Sequence, residues 1–549
     1  MENKHEEAHQ HHHHHAHEHH SPAVTPEDLS VDPDLIPYLF AARTPAEPED
    51  HNNPTGEPCD PENGDTPRKG PLDRFGTPLS PEQRELVDEM NDRQRPAATL
   101  GPSTMDDPKA RAIYETLLTR RAEHQIEPSL EPVRGVLDYL GNPQELFHSI
   151  HITGTNGKTS IARMIEALLV ELGYRTGRFT SPHLVDVRER ITVDQDPVTT
   201  EQFVQAYEDV EAQLALWENA HPGHRLSFFE VMTVMAYALF ADVPIDVAVV
   251  EVGMGGRWDA TNVIDADTAV IGPISLEHEQ WLGKGLTNIA REKAGIMRPQ
   301  RVAVVAKQPD EALAVIRDTA AAEDVVLRYE GEDFEVLRRV PAVGGQVLDI
   351  RTPAAVYQDI YLPLYGEFQA ENAALALTAV EAQLGGMPLH GESVERALGT
   401  VKSPGRLEVL HSTPMIVADA GHNPGAAQAL RRAIEDDFRF EHTVGIYSAM
   451  ADKDIETVLG IMEPTIAELI VTQMPGERAA KVEDLQTLAA DVFGDERVYA
   501  IGSLPEAIAK AGEIDDLQGG VPGSTGVVIF GSVVLAGMAQ DVLRKDKLN

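Results

Sequence analysis

HITGTNGKTS, residues 151–160, decides the fold. Ahead of it Phe147–Ile152 is short and β-prone. Behind it Ile161, Met164, Ile165, Leu168, Leu169 and Leu172 recur at helical spacing until Gly173 offers a stop. Gly154-Thr155-Asn156-Gly157-Lys158-Thr159 therefore falls in a strand-to-helix turn. Glycines there let the backbone approach phosphate oxygens, and the free N–H groups at a helix start point at them. Lys158 can add a point charge, and Thr159 a hydroxyl for phosphate or Mg²⁺. The stretch departs from the usual G-x-x-x-x-G-K-[ST] at Ile152, which stands where the first glycine would be. A plain Gly-rich turn shares the glycines, but Lys-Thr in register with these flanks favours a phosphate loop for a nucleotide such as ATP.

Outward from this loop, strands and helices alternate. Lys109–Glu123 and Glu131–Leu140 read as helices before it. After it, Thr176–Phe179 reads as a strand entering Thr180-Ser181-Pro182-His183-Leu184, and Gln202–Trp217 and Glu230–Phe240 read as helices. Asp246–Val252 and Thr268–Ile274 are continuous apolar runs of the kind that parallel strands make when both faces are covered. The pattern predicts an α/β fold with a parallel sheet, whose ligands gather beyond the carboxyl ends of the strands. Ser181, Glu251 and His278 fall at such ends. A softer, strand-rich passage over Val302–Leu364 leads to a helix through Asn372–Leu384. After a pause at Ser403-Pro404-Gly405, strands at Met415–Ala418, Thr443–Ile446, Leu469–Thr472 and Val527–Phe530 predict a second, Rossmann-like α/β domain of about 140 residues. The division expected is thus 1–107, 108–403 and 404–549.

Charge limits the partners. With 89 acidic and 46 basic residues the 549-residue chain carries −43, which argues against nucleic acid or an anionic membrane. An anionic nucleotide then needs local cations. The single cysteine, Cys59, excludes an intrachain disulfide. No apolar run reaches the ~18–20 residues of a membrane span, and no signal-peptide core is present, so the cytoplasm is the expected compartment. Residues 1–107 hold 23 acidic against 8 basic residues and 15 of the 37 prolines, with little apolar periodicity. That composition predicts a disordered arm with a short helix near Pro81–Asp92. Its start, HQHHHHHAHEHH, offers imidazoles to Zn²⁺ or Ni²⁺. Without cysteine or fixed ligand spacing, a solvated tail is the plainer reading.

Glu251-Val-Gly-Met-Gly-Gly-Arg-Trp-Asp-Ala-Thr-Asn262 puts a carboxylate at a strand end before three glycines. Mg²⁺ favours hard oxygen ligands, so Glu251 with a hydroxyl from Ser181 or Thr159 would suit it. His278 is a less typical Mg²⁺ ligand; an ordinary capping or core histidine reads equally well there.

GTNGKTS, TSPHL, SFFE, EVGMGGRWDATN, LEHEQWLG, IAREKAGIMRP, PGRLE and DAGHNP occur in this order. In these blocks, over about residues 108–549, the chain resembles the folylpolyglutamate synthase/dihydrofolate synthase family of Mur-type ligases. The resemblance implies a P-loop-type ATPase domain followed by a smaller glutamate ligase domain. It implies that ATP phosphorylates a carboxylate of folate or dihydropteroate, and that the amine of L-glutamate displaces phosphate to form an amide. It places Gly154, Thr155, Asn156, Gly157, Lys158 and Thr159 on the ATP phosphates, with Asn372, Arg406 and Asp419 as further ATP contacts and His422 in the same motif. It makes Ser181, Glu251 and His278 Mg²⁺ ligands, and Lys293 the lysine that is carbamylated in relatives. Ser227, Phe228, Phe229 and Glu230, with Trp258, Asp259 and Ala260, match pterin contacts. Lys158, His278, Lys293 and Arg406 are the implied catalytic set, and relatives suggest a monomer. The loop reads GKTS where many folate members read GKGS or GKGT, closer to muramyl ligases. The rivals are therefore a muramyl-type amino-acid ligase, a P-loop phosphotransferase or switch NTPase, and a metal-storage protein resting on the His-rich tail alone.

Overall fold

The computed structural model describes residues 106–122, 127–438, 440–517 and 525–546. Nearly all of the expected acidic arm, with its His-rich start and the helix near Pro81–Asp92, lies outside the described residues.

Eight strands form the first sheet: β1 (His148–Thr153), β2 (Thr176–Phe179), β3 (Ile191–Val193), β4 (Asp196–Pro197), β5 (Val247–Glu251), β6 (Thr268–Ile271), β7 (Val302–Val305) and β8 (Val326–Tyr329). Their order is β4-β3-β2-β5-β1-β6-β7-β8. All pairs from β2 to β8 are parallel, while β3 and β4 add an antiparallel edge. The apolar runs read as strands because β1, β5 and β6 are buried throughout. Each valine or isoleucine so buried stabilises the fold by about 1.5–3 kcal/mol.

Alternate side chains feed the two faces. Ile150, Ile152, Val247 and Val249 pack under the phosphate-loop helix, Lys158–Glu171, and under Glu367–Gln383. Ala248, Val250 and Phe179 pack under Thr200–Ala220 and Phe228–Asp242 on the opposite face, with Pro108–Leu118 and Glu131–Tyr139 completing that layer.

Several boundaries differ from those read in the sequence. The first helix is Pro108–Leu118 rather than Lys109–Glu123; Asp107 caps its start by accepting from Lys109 N and Ala110 N, and the turn at Thr119 closes it. The helix expected from Asn372 begins at Glu367, directly after Gly366 at φ +92°, and is buried along most of its length. The passage Val302–Leu364 is only partly strand. A helix, Asp310–Ala322, separates β7 from β8, and an antiparallel meander follows, formed by β9 (Glu335–Ala342), β10 (Gly345–Arg351) and β11 (Val356–Leu362). Tyr357 and Thr352 hydroxyls donate to Glu381 Oε1 at 2.7 and 2.8 Å, holding the meander onto Glu367–Gln383.

A third sheet follows Ser403. It contains β12 (Glu408–Ser412), β13 (Met415–Ala418), β14 (His442–Tyr447), β15 (Glu468–Thr472), β16 (Val498–Ile501) and β17 (Thr525–Phe530), in the order β12-β13-β17-β14-β15-β16. Only the β12–β13 pair is antiparallel. Helices cover both faces, so its central strands are also apolar on both sides.

A buried ion pair fixes the phosphate-loop helix to β2. Arg178 Nε donates to Glu166 Oε2 at 2.7 Å with both side chains 1% exposed. The other oxygen of Glu166 accepts from Thr192 Oγ1 at 2.8 Å and Gln195 N at 3.0 Å. Among the described residues no helix is long and apolar enough to cross a membrane.

Candidate active site

The phosphate loop leaves the sheet where the chain changes direction. β1 lies between β5 and β6, with Ile152 beside Glu251 and Thr153 beside Ile271. The connection after β1 runs to β2 on one side, and that after β5 runs to β6 on the other, which opens a crevice at the strand ends. Glycine is required here for close approach: a Cβ on Gly154 would lie 3.1 Å from the Cα of Gly272, and one on Gly157 would lie 2.6 Å from Asn372 Oδ1. Gly157 also sits at φ +84°. Thr155 N donates to Pro273 O at 2.9 Å, and its hydroxyl is bonded to the backbone of Ser275. Lys158 Nζ donates to Gly154 O at 2.9 Å and Thr155 O at 3.3 Å, so the ammonium lies over the loop.

One residue on, Thr159 Oγ1 stands 3.1 and 2.9 Å from the two oxygens of Glu251. Burial raises the Glu251 pKa, opposed by Lys158, the Thr159 hydroxyl, Arg406 and a backbone bond from Ser181. Four sequence-predicted residues thus meet around one carboxylate. A second group lies beyond β6. Buried Lys293 Nζ donates to Gly154 O at 2.8 Å and to Glu277 Oε1 at 2.9 Å. Burial lowers the Lys293 pKa, with Glu277 pulling the other way. Burial alone would raise Glu277, but Lys293, Lys158 and His278 outweigh it and hold the carboxylate ionised. His278, at φ +47°, has its pKa pushed down to about 4 by burial, with Lys453, Lys158 and Lys293 adding to the effect.

The segments matched to pterin contacts form a neighbouring rim. Ser227 and Glu230 make a reciprocal helix cap: Ser227 N donates to Glu230 Oε2 at 2.6 Å and Glu230 N to Ser227 Oγ at 3.3 Å. Phe228 lies under the Arg190 guanidinium, 5.0 Å from ring centroid to Cζ. Phe229 packs against Phe179 and crowds Gly253, where a Cβ would lie 2.6 Å from its ring. Asp259 is buried. It accepts from Met254 N at 2.9 Å, Thr261 N at 3.0 Å and Thr261 Oγ1 at 2.5 Å, so its carboxylate is spent on shaping the EVGMGGRW loop. Ala260 is buried and Trp258 half-buried in the same loop.

The third sheet closes the crevice from the other side. Asp419, just after β13, accepts from Leu407 N at 2.9 Å and Gly421 N at 2.7 Å; burial raises its pKa and Arg406 opposes. Burial, then Lys453, push the His422 pKa down to about 4. Asn372 donates to Gln369 at 3.1 Å, Gln369 to Ser160 Oγ at 3.2 Å, and Ser160 Oγ lies 2.8 Å from Ser403 Oγ. Asn423 Nδ2 donates to Asn156 Oδ1 at 3.0 Å while Asn156 Nδ2 returns a bond to Asn423 Oδ1 at 3.4 Å, tying the phosphate loop to the third sheet.

Sequence reasoning passed over Asn423, Glu277 and Lys453 as site residues. Asn423 stood inside the quoted DAGHNP and Glu277 beside His278, so both could have been found. Lys453, in the loop after β14, carries no motif signal.

Comparison with known proteins places these features in company. The Mur ligase middle domain matches residues 152–380, and the Mur ligase glutamate ligase domain matches residues 405–533. The chain is 44% identical over 466 residues to the dihydrofolate synthase/folylpolyglutamate synthase of Mycobacterium tuberculosis, covering 81% of this chain and 96% of that protein. It is 30% identical to the dihydrofolate synthase/folylpolyglutamate synthase of Escherichia coli, over 66% of this chain and 81% of that one. The structure of the Mycobacterium tuberculosis folylpolyglutamate synthase complexed with ADP and AMPPCP superposes with a TM-score of 0.76 at 45% identity, over 79% of this chain and 98% of that one. Escherichia coli FolC in complex with DHPP and ADP gives 0.71 at 26% identity, over 81% and 100%.

Proposed function

The chain belongs to the folylpolyglutamate synthase/dihydrofolate synthase family of Mur ligases, and on that premise we propose how its crevice joins L-glutamate to a folate. The protein is an ATP-dependent ligase that adds L-glutamate to tetrahydrofolate and to dihydropteroate through an acyl phosphate, releasing ADP and phosphate. The observation that carries the residue assignment is the convergence of Lys158, Thr159, Ser181 and Arg406 on Glu251 at the switch point of the parallel sheet. Separate sheets either side of Ser403 support a division of labour, with 108–403 binding ATP and folate and 404–549 bringing glutamate. The enzyme acts as a cytoplasmic monomer in this reading.

A carboxylate is a poor electrophile until phosphorylation gives it a leaving group. Transfer of phosphate between two anions needs clamped positive charge and in-line geometry. Lys158 and the loop N–H groups of Gly154–Thr159 hold the ATP phosphates, and Arg406 brings charge from the opposite side of the crevice. Asn372 and Asp419 contact the nucleotide. His278, kept neutral at working pH, and Lys293 border the reacting carboxylate, while His422 faces it from the third sheet. The aromatic faces of Phe228, Phe229 and Trp258 and the backbone at Ala260 receive the pterin. Ser227, Glu230 and Asp259 act there by fixing that backbone, since their polar atoms bond to it.

Magnesium fits the donors present. Glu251 is a buried carboxylate flanked by two hydroxyl residues, a hard-oxygen set. Mg²⁺ usually keeps several waters and substrate phosphates in its shell, so few protein donors suffice. Glu251, Ser181, Thr159 and His278 would hold it, and when bound it supplies charge neutralisation for the phosphate oxygens. Carbamylation of Lys293 belongs to the same reading: burial favours the free amine that attacks CO₂. Glu251→Gln keeps the shape and loses the charge. The Mg²⁺ concentration for half-maximal rate should then rise about tenfold or more; an unchanged titration would remove Glu251 from the ligand set.

The test of the function is ADP release by the full chain with Mg-ATP and L-glutamate, comparing dihydropteroate, tetrahydrofolate and no acceptor. Release that requires either acceptor supports the ligase. Equal release without acceptor would favour a simple NTPase, and no release with either would favour the muramyl-type rival and its different acceptor.

A further inference from the structure

Arg163 lies one helical turn beyond Thr159 on the same face of the phosphate-loop helix. It lines a small pocket between the two parallel sheets together with Thr159, Thr180, Pro182, Arg406 and Val533, and with Glu189, whose carboxylate is bonded to its own loop backbone. Among the described residues its guanidinium makes no hydrogen bond and no ion pair, and none of its nitrogens is sealed away from the pocket. Burial, reinforced by Arg178, pulls its pKa down to about 9, while Glu166, Glu189 and Glu251 oppose without an ion pair to it.

Those three carboxylates do not need Arg163. Glu166 is paired with Arg178 and bonded to Thr192 and Gln195. Glu189 accepts backbone N–H bonds from Leu184, Val185 and Asp186 at 2.8, 3.0 and 2.8 Å. Glu251 faces Thr159 and Lys158. A half-buried guanidinium with five donors and no bonded acceptor keeps its charge-assisted bonds free for an anion that enters the pocket. Its place along the helix, about 6 Å past Thr159, sets that anion apart from the ATP phosphates at the helix start.

We propose that Arg163 receives the non-reacting carboxylate of a substrate in the crevice between the two parallel sheets. The inference rests on the glutamate-ligase reading above. That reaction brings carboxylates of two kinds to this distance from the reacting centre. One is the α-carboxylate of a glutamyl tail, a few carbons from the γ-carboxyl that is phosphorylated. The other is a carboxylate of the incoming L-glutamate. Both are planar anions that a guanidinium binds through two parallel bonds. Dihydropteroate, whose only carboxylate is the one that reacts, separates the two sources.

The experiment measures KM for each substrate by ADP release, on the full chain and on Arg163→Gln and Arg163→Lys. The glutamine variant should raise KM for one carboxylate substrate about tenfold or more, as loss of a charge-assisted pair does. Lysine should recover part of the loss, and KM for ATP and the thermal midpoint should stay at the wild-type values. A rise for tetrahydrofolate alone assigns the glutamyl tail; a rise for L-glutamate with dihydropteroate as acceptor assigns the incoming amino acid. Unchanged KM for both, or a loss of rate that tracks a fall in thermal midpoint in both variants, overturns the proposal while leaving the ligase intact. A wild-type chain that releases no ADP with any acceptor overturns the ligase reading and this inference with it.

Discussion

Lys158→Ala is expected to reduce acceptor-dependent ADP release by about a hundredfold to a thousandfold, the scale for removing one positioned donor to a developing charge. Two roles are lost together. The Lys158 ammonium lies over the phosphate loop through Gly154 O and Thr155 O, and it is also a principal charge opposing the raised pKa of Glu251. Without it the buried Glu251 carboxylate faces the phosphates with less compensation, so both KM for ATP and the chemical step should suffer. Single-turnover measurement separates them. A variant that keeps most of its rate at saturating ATP would show that the loop backbone alone holds the phosphates, and the loop assignment of Lys158 would fall.

Arg178→Met should be the most destabilising single change away from the crevice. Arg178 and Glu166 are both 1% exposed and joined at 2.7 Å, so deleting the guanidinium strands a carboxylate where water cannot reach it. Breaking such a pair from one side costs about 3–5 kcal/mol, a large part of the ~5–15 kcal/mol that holds a domain together. The double variant Arg178→Met/Glu166→Leu removes the stranded charge and should recover much of that loss. Denaturant unfolding of the three proteins checks it. If the single and double variants unfold alike, the pair contributes by shape rather than by charge.

Much of this architecture was legible because local and global signals agree. The apolar runs at β1, β5 and β6 read as buried parallel strands, and the Gly-rich turn between β1 and a helix could only sit at their carboxyl ends. Glu251, Ser181 and His278 followed from that placement. Less legible were features fixed by partners far away in sequence. The helix from Glu367 shares one core with the phosphate-loop helix, a partnership no spacing rule records. The Asn156–Asn423 pair joins residues separated by 267 positions. Ser227 and Glu230 carry a capping signature, S-x-x-E, that is plain in the sequence, yet a resemblance drew attention to the pterin first. Asp259 is the subtlest case: the resemblance matched it to a pterin contact, and the structure adds that its carboxylate accepts hydrogen bonds from the backbone of its own loop. Arg163 carried no motif at all, and only the folded surroundings reveal a charge without a bonded partner.

The hydroxyl pair of Ser160 and Ser403 has a mechanical consequence. It ties Ser403, where the chain passes toward the third sheet, to the helix that begins at the phosphates, so a swing of that sheet that parts the Asn156–Asn423 pair and keeps this bond would pivot just beyond Ser403, at Pro404 and Gly405. Arg406 is then almost on the axle. A rotation that carries the far rim of the third sheet through a long arc displaces Arg406 very little, as the hub of a wheel barely moves while its edge sweeps. In such a rotation the crevice would open at the long end of the lever while the guanidinium keeps station at the short end.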